Sequence, residues 1–328
     1  MDWISGAISN LLSQYSILFV GILLLIVLAH ILLVTKRSQK YKSEYYRLQE
    51  QEQASQKVLQ HRDLLHDRYK NYEQSLSYAQ RIQNALFITP KQLRAHFPES
   101  FIFHRPKDIV SGHFNWARRI NGKMLFSVAD CTGHGVPGAF ISLLGLELFR
   151  QITMGMGILD PAGILNEMNK QFDLVFGDTE EIALKDGIDL GLCAYDYKNR
   201  VLEFAGAFNS LYVIRNNELL ELKGDRLIVG PDYGLQRGTF KNKRIEIKEE
   251  DILYLFTDGY PDQFGGPEGK KFKYRRFRHL LMSIHKLSMV EQKQKLEENM
   301  NEWMGSVEEQ IDDQTIIGIR PASFSFSG

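Results

Sequence analysis

Apolar and polar positions divide the chain into three stretches. From Ile17 to Val34 no residue is charged, and His30 is the only strongly polar side chain. About 18 apolar residues in a row just suffice to cross a bilayer core of roughly 30 Å as a helix. A buried core helix could share this composition, but this run is apolar on all faces and abuts a charged segment. A cleaved signal peptide would carry Lys or Arg ahead of the run, where only Asp2 stands, and a small-residue cleavage site after it. Lys36, Arg37, Lys40 and Lys42 follow the run. Basic flanks stay in the cytoplasm. The pattern predicts a single-pass helix over 17–35 in the cytoplasmic membrane, with residues 1–16 outside and the rest inside. The outer segment is too short to fold as a sensor.

Residues 36–88 form the second stretch. From Ser43 to Leu86 the chain is rich in Glu, Gln, Lys, Arg and Tyr and has neither Gly nor Pro, which predicts one long helix. Leu65, Tyr69, Tyr72, Leu76, Ala79 and Leu86 alternate in steps of four and three, with Gln83 in one slot. That is a coiled-coil seam of about three heptads. Upstream the seam weakens, since Arg62 falls at a core slot. A parallel homodimer is the expectation, because a shared membrane anchor raises the local concentration of partners. A solvated helix packed on the following domain is the alternative.

Pro90 and Pro98 break the helical pattern, and a third stretch over 89–322 mixes strands and helices, leaving 323–328 as a tail. Leu125–Ala129, Leu190–Tyr195, Val201–Phe204, Leu211–Ile214, Arg244–Ile247, Ile252–Phe256 and Thr315–Ile319 read as strands. Ala139–Met154, Pro161–Phe176, Tyr274–His285 and Met289–Met304 read as helices. Tight turns such as Lys198-Asn199 imply antiparallel pairing, so the class is α+β rather than a doubly wound parallel sheet.

Composition narrows the function. Hydrophobic residues are 44% and charged residues 24% of the 328, enough for a sizeable core. The formal net charge is zero, whereas nucleic-acid binders carry a basic excess, so no nucleic-acid partner is expected. Two distant cysteines, Cys131 and Cys193, make no disulfide framework and suit a reducing compartment.

Carboxylates at strand ends carry the chemistry. Asp130 follows the strand Leu125–Ala129 and opens Asp130-Cys131-Thr132-Gly133-His134-Gly135. Asp258 follows Ile252–Phe256 and precedes Gly259. Asp312 and Asp313 precede Thr315–Ile319. A lone Asp-Gly is usually a turn, but three apolar strands each ending on a carboxylate form a pattern. Clustered carboxylates repel one another unless a cation neutralises them, and hard oxygen donors suit Mg²⁺ or Mn²⁺.

Asp108-Ile109-Val110-Ser111-Gly112, Val128 to Phe140, Asp186-Gly187-Ile188-Asp189, Ala205-Gly206-Ala207, Thr257-Asp258-Gly259 and Asp312-Asp313-Gln314-Thr315 occur in this order. From about Gln80 to Arg320 the chain resembles the sporulation stage II protein E type of PPM (protein phosphatase 2C-like) phosphatases. The resemblance implies a sandwich of two antiparallel β-sheets flanked by helices and holding two Mg²⁺ or Mn²⁺ ions. It implies hydrolysis of phosphoserine or phosphothreonine on a regulatory protein, such as an anti-sigma-factor antagonist, by an activated water. Carried over by motif, Asp130 bridges both metals, Cys131 offers a backbone carbonyl, and Asp258 and Asp313 bind the second metal. His134, in the metal motif, is a candidate for orienting substrate or protonating the leaving oxygen, or else a structural residue of a tight turn. Asp186 and Asp189 match the motif without a derivable role. One position departs from the pattern: His113 stands where the family carries an aspartate for the first metal. A neutral imidazole suits Mn²⁺ better than Mg²⁺ and removes a negative charge. An active enzyme, a pseudophosphatase that only binds the phosphoprotein, and an inert domain on a coiled-coil scaffold are the functions to separate.

Overall fold

The computed structural model describes residues 2–176, 187–231 and 238–321. The chain divides into two compact units, Met1–Tyr72 and Glu73–Gly328. The first is helical, part of α1 (Asp2–Leu86). It contains one stretch long and apolar enough to cross a membrane, none of it buried within the protein. Leu65, Tyr69 and Tyr72, on the expected seam, are exposed.

The second unit opens with the last turns of α1 and a short α2 (Pro90–His96). Where the sequence reading saw only a break, Thr89 caps α2 in a reciprocal capping box with Gln92, and Pro90 starts the helix without needing an N–H donor. Three strands follow, β1 (Ser100–Arg105), β2 (His113–Ile120) and β3 (Lys123–Cys131), then helices α3 (Gly135–Arg150) and α4 (Pro161–Phe176). Next come β4 (Ile188–Asp196), β5 (Val201–Ala207), β6 (Leu211–Arg215), β7 (Glu218–Leu222), β8 (Lys243–Glu246) and β9 (Ile252–Phe256). A short α5 (Gly259–Asp262), the hairpin β10 (Phe264–Gly265) and β11 (Lys270–Lys271), α6 (Lys273–Ile284), α7 (Met289–Met304) and β12 (Gln314–Ile319) complete the unit.

The strands form two antiparallel five-stranded sheets, ordered β1-β12-β9-β6-β7 and β2-β3-β4-β5-β8. Alternation along each strand explains the layering. In β3, Phe126 and Val128 join the cluster between the sheets with Leu253, Leu255 and Ile317, while Leu125 and Ala129 face the other way toward α3 and α4. In β9, Ile252, Tyr254 and Phe256 face α6 and α7. The result is a β-sandwich with a helical layer on each side, so the expected α+β fold with two antiparallel sheets is the one observed.

Besides the two-residue strands of the β10–β11 hairpin, three strands escaped the sequence reading. β1 has no clean alternation. β2 joins β3 through Asn121-Gly122, both at positive φ (48° and 80°), and β7 joins β6 through Asn216-Asn217 (50° and 60°). These pairs match the twist of a tight hairpin, and Asn-Gly was a legible signal for β2. α3 begins four residues before the expected Ala139 and ends at Arg150, and Gln151–Gly155 continue it as a π-helical turn.

Candidate metal centre

Strand pairing gathers the acidic residues at one edge of the sandwich. β2 and β3 run antiparallel with His113 opposite Asp130, and β3 and β4 place Asp189 opposite Asp130 from the other side. In the second sheet β9 ends two residues before Asp258, and its antiparallel neighbour β12 starts immediately after Asp312-Asp313. Antiparallel neighbours bring the end of one strand beside the start of the next, so each sheet delivers its acids to the same edge.

Asp130, Asp258 and Asp312 each offer a carboxylate oxygen, and these three atoms lie within 4.8 Å of one another. Burial and the charge of Asp130 hold the Asp258 carboxyl well above the usual carboxylate range. Burial, with the Asp130 charge, also raises Asp312. Asp189, half-buried beside them, is pushed up to about 7 by burial and by Asp130. Asp258 Oδ1 and Asp189 Oδ1 are buried with no hydrogen-bond partner among the described residues. Carboxylates this close, with oxygen atoms left over, are stabilised by a cation. The all-oxygen donor set fits Mg²⁺ or Mn²⁺.

The expected residues take different places around this cluster. Asp313, expected as a ligand of the second metal, is fully buried, and one of its oxygens lies with an Asp312 oxygen and a His113 nitrogen, all within 4.8 Å of one another. Its Oδ1 accepts from the Lys107 N–H at 2.7 Å, and its Oδ2 accepts from the Gly112 N–H at 2.7 Å and the His113 N–H at 3.4 Å. Asp312 is the carboxylate brought to Asp130 and Asp258. His113, expected as a ligand of the first metal, is also buried, with Nε2 2.8 Å from Asp130 Oδ1 and Nδ1 3.0 Å from Thr257 Oγ1. Burial works against its charge, but Asp130, Asp312 and Asp313 together raise it to about 9. With no cation bound, the surrounding acids thus favour the charged imidazole, and its Nε2–H donates to Asp130. The Cys131 side chain joins the core, and its backbone carbonyl lies close to Gly112. His134 is exposed at the rim, with Nδ1 2.9 Å from Asp108 Oδ2 and Nε2 3.3 Å from Lys107 Nζ. Asp186 lies outside the described residues.

The metal motif needs its glycines. Gly133 and Gly135 adopt φ of 87° and 66°, the left-handed region that L-residues avoid. A Cβ on Gly138 would come within 2.1 Å of the Gly133 carbonyl oxygen and 2.8 Å of Gly112 Cα. The start of α3 thus packs directly on the loop that leads into His113.

Gln83 is the site-shaping residue that the sequence hid, since it reads there as a polar interruption of a coiled-coil seam. It is buried, donates to the Ser111 carbonyl at 2.6 Å and to Ser142 Oγ of α3 at 3.0 Å, and accepts from the Ser111 N–H at 3.0 Å. The end of α1 is thereby tied to the His113 loop and to α3 together. Gln83→Leu is expected to orphan both Ser111 backbone groups and lower stability by about 1–3 kcal/mol. An unchanged thermal melting temperature would remove this role. Asp189 and Thr257, named in the motifs without a role, also border the site, which sequence spacing could not show because it does not reveal which strands pair.

Comparison with known proteins agrees with this geometry. The profile of the family described as Stage II sporulation protein E (SpoIIE) matches residues 120–321. The SiaA-PP2C domain of Pseudomonas aeruginosa is 35% identical, with a TM-score of 0.70, and the match covers 76% of this chain and 97% of that one. The PP2C phosphatase domain with a regulatory-domain fragment of SpoIIE from Bacillus subtilis shares the fold at 18% identity and TM-score 0.54, over 68% of this chain and 62% of that one. The RsbU and RsbW domains of a Mycobacterium tuberculosis protein do so at 16% and 0.51, over 68% and 60%. No curated protein sequence matches the chain. The profile match and the likeness to the SiaA domain place the chain in the SpoIIE family of PP2C-like serine phosphatase domains.

Proposed function

We propose that this chain is a membrane-anchored, divalent-metal-dependent phosphatase that hydrolyses phosphoserine or phosphothreonine on a regulatory protein. The observation that carries the reading is the convergence of Asp130, Asp258 and Asp312 from both sheets at one edge. These three would hold Mg²⁺ or Mn²⁺, two ions being expected, with the Cys131 carbonyl beside them. When bound, such cations supply the positive charge that polarises a phosphate ester and favours ionisation of an attacking water. The chain's own groups do the rest. Asp313 fixes the loop from Lys107 to His113 through three backbone N–H groups. His113 donates to Asp130 and holds that carboxylate in place. The Lys107 ammonium and His134 sit together at the rim, where they can meet a phosphate oxygen or the leaving serine oxygen.

The test is turnover of p-nitrophenyl phosphate and a phosphoserine peptide during Mn²⁺ and Mg²⁺ titration. Metal-dependent release of phosphate is expected. A second reading is a pseudophosphatase that binds the phosphoprotein without turnover, favoured by the His113–Asp130 bond, which sets a histidine where the resemblance implies a metal-binding acid. Binding of the phosphopeptide with no turnover under any metal would select it.

The apolar stretch of α1 supports the anchor, with the phosphatase unit in the cytoplasm. The exposed Leu65, Tyr69 and Tyr72 support a parallel homodimer through α1. Leu65→Asp is expected to convert dimer to monomer in sedimentation equilibrium of the detergent-solubilised chain. A wild-type protein already monomeric at tens of micromolar, roughly the regime in which weak coiled coils associate, would sink the dimer. A regulatory protein of the anti-sigma-factor antagonist kind is the proposed substrate class.

A further inference from the structure

Beyond the carboxylate centre, the strongest charge feature is the segment that follows Asp258. Between Lys270 and His279 stand Lys270, Lys271, Lys273, Arg275, Arg276 and Arg278, with no Asp or Glu, in a chain whose net charge is zero. Part of this charge is already paired. Lys271 meets Asp262 at 2.8 Å, Lys270 meets Glu268, and Arg278 meets Glu221 at 2.8 Å. Lys273, Arg275, Arg276 and His279 have no carboxylate partner among the described residues. The acids Glu297 and Glu298 of α7 pair instead with Lys293 and Lys295 on their own helix.

These unpaired cations border a cavity of about 1160 Å³ between α6 and α7, whose wall also includes Trp303 and Leu280. Arg276 lies over the Trp303 ring at 4.7 Å, which fixes one charge on an aromatic floor. The head of α6 lies near the metal centre. Tyr274, at the head of α6, packs 6.3 Å from Phe256, two residues before Asp258. Its hydroxyl is raised by burial and by the charges of Asp258, Asp262 and Asp130. Lys273 has φ of 71°, a left-handed conformation that an L-residue adopts only at a cost.

We propose that the α6–α7 groove docks an acidic segment of the substrate protein, flanking the phosphorylated residue and leading it to the carboxylate centre. This names the substrate class and rests on the phosphatase reading. Charge complementarity selects the occupant: a cationic, partly aromatic groove fits a chain of Asp and Glu residues.

Two phosphoserine peptides of equal length test it on the full chain in detergent, one with an Asp/Glu flank and one with the same flank as Asn/Gln. Fluorescence anisotropy and kcat/KM are measured for each. The acidic peptide is expected to bind roughly tenfold more tightly, the effect of a few partly screened ion pairs. The preference should shrink in high salt. It should be lost in the doubly substituted Lys273→Glu/Arg275→Glu protein, through KM rather than kcat. Equal binding of the two peptides by the natural protein overturns the proposal, as does a preference that survives the double substitution. A double substitution that keeps the preference but converts dimer to monomer assigns the groove to a second copy of the chain and overturns it too. Anisotropy does not require catalysis, so a preference without turnover sinks only the phosphatase reading, and turnover without a preference sinks only the groove.

Discussion

Asp312→Asn is expected to reduce Mn²⁺ affinity by at least about a hundredfold, a larger loss than removing a residue that merely supports a ligand, and to abolish metal-dependent turnover with it. Asp313→Asn is expected to act differently. Asp312 is one of three carboxylates with oxygens within 4.8 Å of one another, raised by burial and by Asp130, and a cation relieves that repulsion. Asp313 already accepts three backbone N–H groups, from Lys107, Gly112 and His113. An asparagine there would turn its NH₂ toward at least one of those donors. Leaving a buried backbone donor facing another donor costs on the order of 1–3 kcal/mol, more where a charge-assisted bond is lost as well. The Asp313 variant should therefore melt at lower temperature, with its metal binding impaired only as the loop loosens. Isothermal titration with Mn²⁺ and thermal melting of both variants, beside Asp130→Asn as the fully inactive reference, separate the roles. If Asp313→Asn kept its melting temperature and lost metal binding while Asp312→Asn bound normally, the two assignments would be exchanged.

That pair shows where sequence reasoning stops. Asp312 and Asp313 are adjacent, both precede an apolar strand, and motif matching gives no sign of which side chain turns outward. Both precede β12, so local backbone turns and long-range hydrogen bonds decide, those of Asp313 running to the Lys107 and Gly112 N–H groups. Legible in the chain were the apolar stretch of α1, α4 and α7 to the residue, the strands of the inner layers, and the acids at strand ends. Those signals are local: a run of apolar residues, a 3.6-residue period, a carboxylate after a strand. Gln83 and Asp189 were not legible in their roles, since each depends on contacts across the fold, 28 residues away for the Gln83–Ser111 bonds. His113 lies between the two cases. Its departure from the family pattern was visible, but its bond to Asp130 depends on β2, a strand the sequence reading did not recognise.

His113→Asp is expected to strengthen Mg²⁺ binding and raise Mg²⁺-dependent turnover by at least about tenfold. The natural histidine is buried among acids that favour its charged form in the absence of metal, and lies 2.8 Å from Asp130 Oδ1. Substitution adds one negative charge at the same place and removes the positive charge that the imidazole carries when protonated. Two unit charges about 4 Å apart interact by roughly 4 kcal/mol at an effective dielectric of 20, so a gain well above tenfold in cation affinity is within reach even after screening. The same arithmetic predicts a cost. Without metal, the added carboxylate repels Asp130 and Asp312, and the variant should melt below the natural protein. With saturating Mg²⁺ or Mn²⁺ the order should narrow or reverse, because a ligand that binds only the folded state stabilises it in proportion to its affinity. The crossing of the melting curves is the informative result, since it does not depend on finding the right substrate. A variant that binds Mn²⁺ more weakly than the natural protein would mean that the imidazole itself ligates in the loaded state, and that this chain is adapted to Mn²⁺. Improved metal binding with no turnover from either protein would leave the metal site standing and remove catalysis from the proposed function.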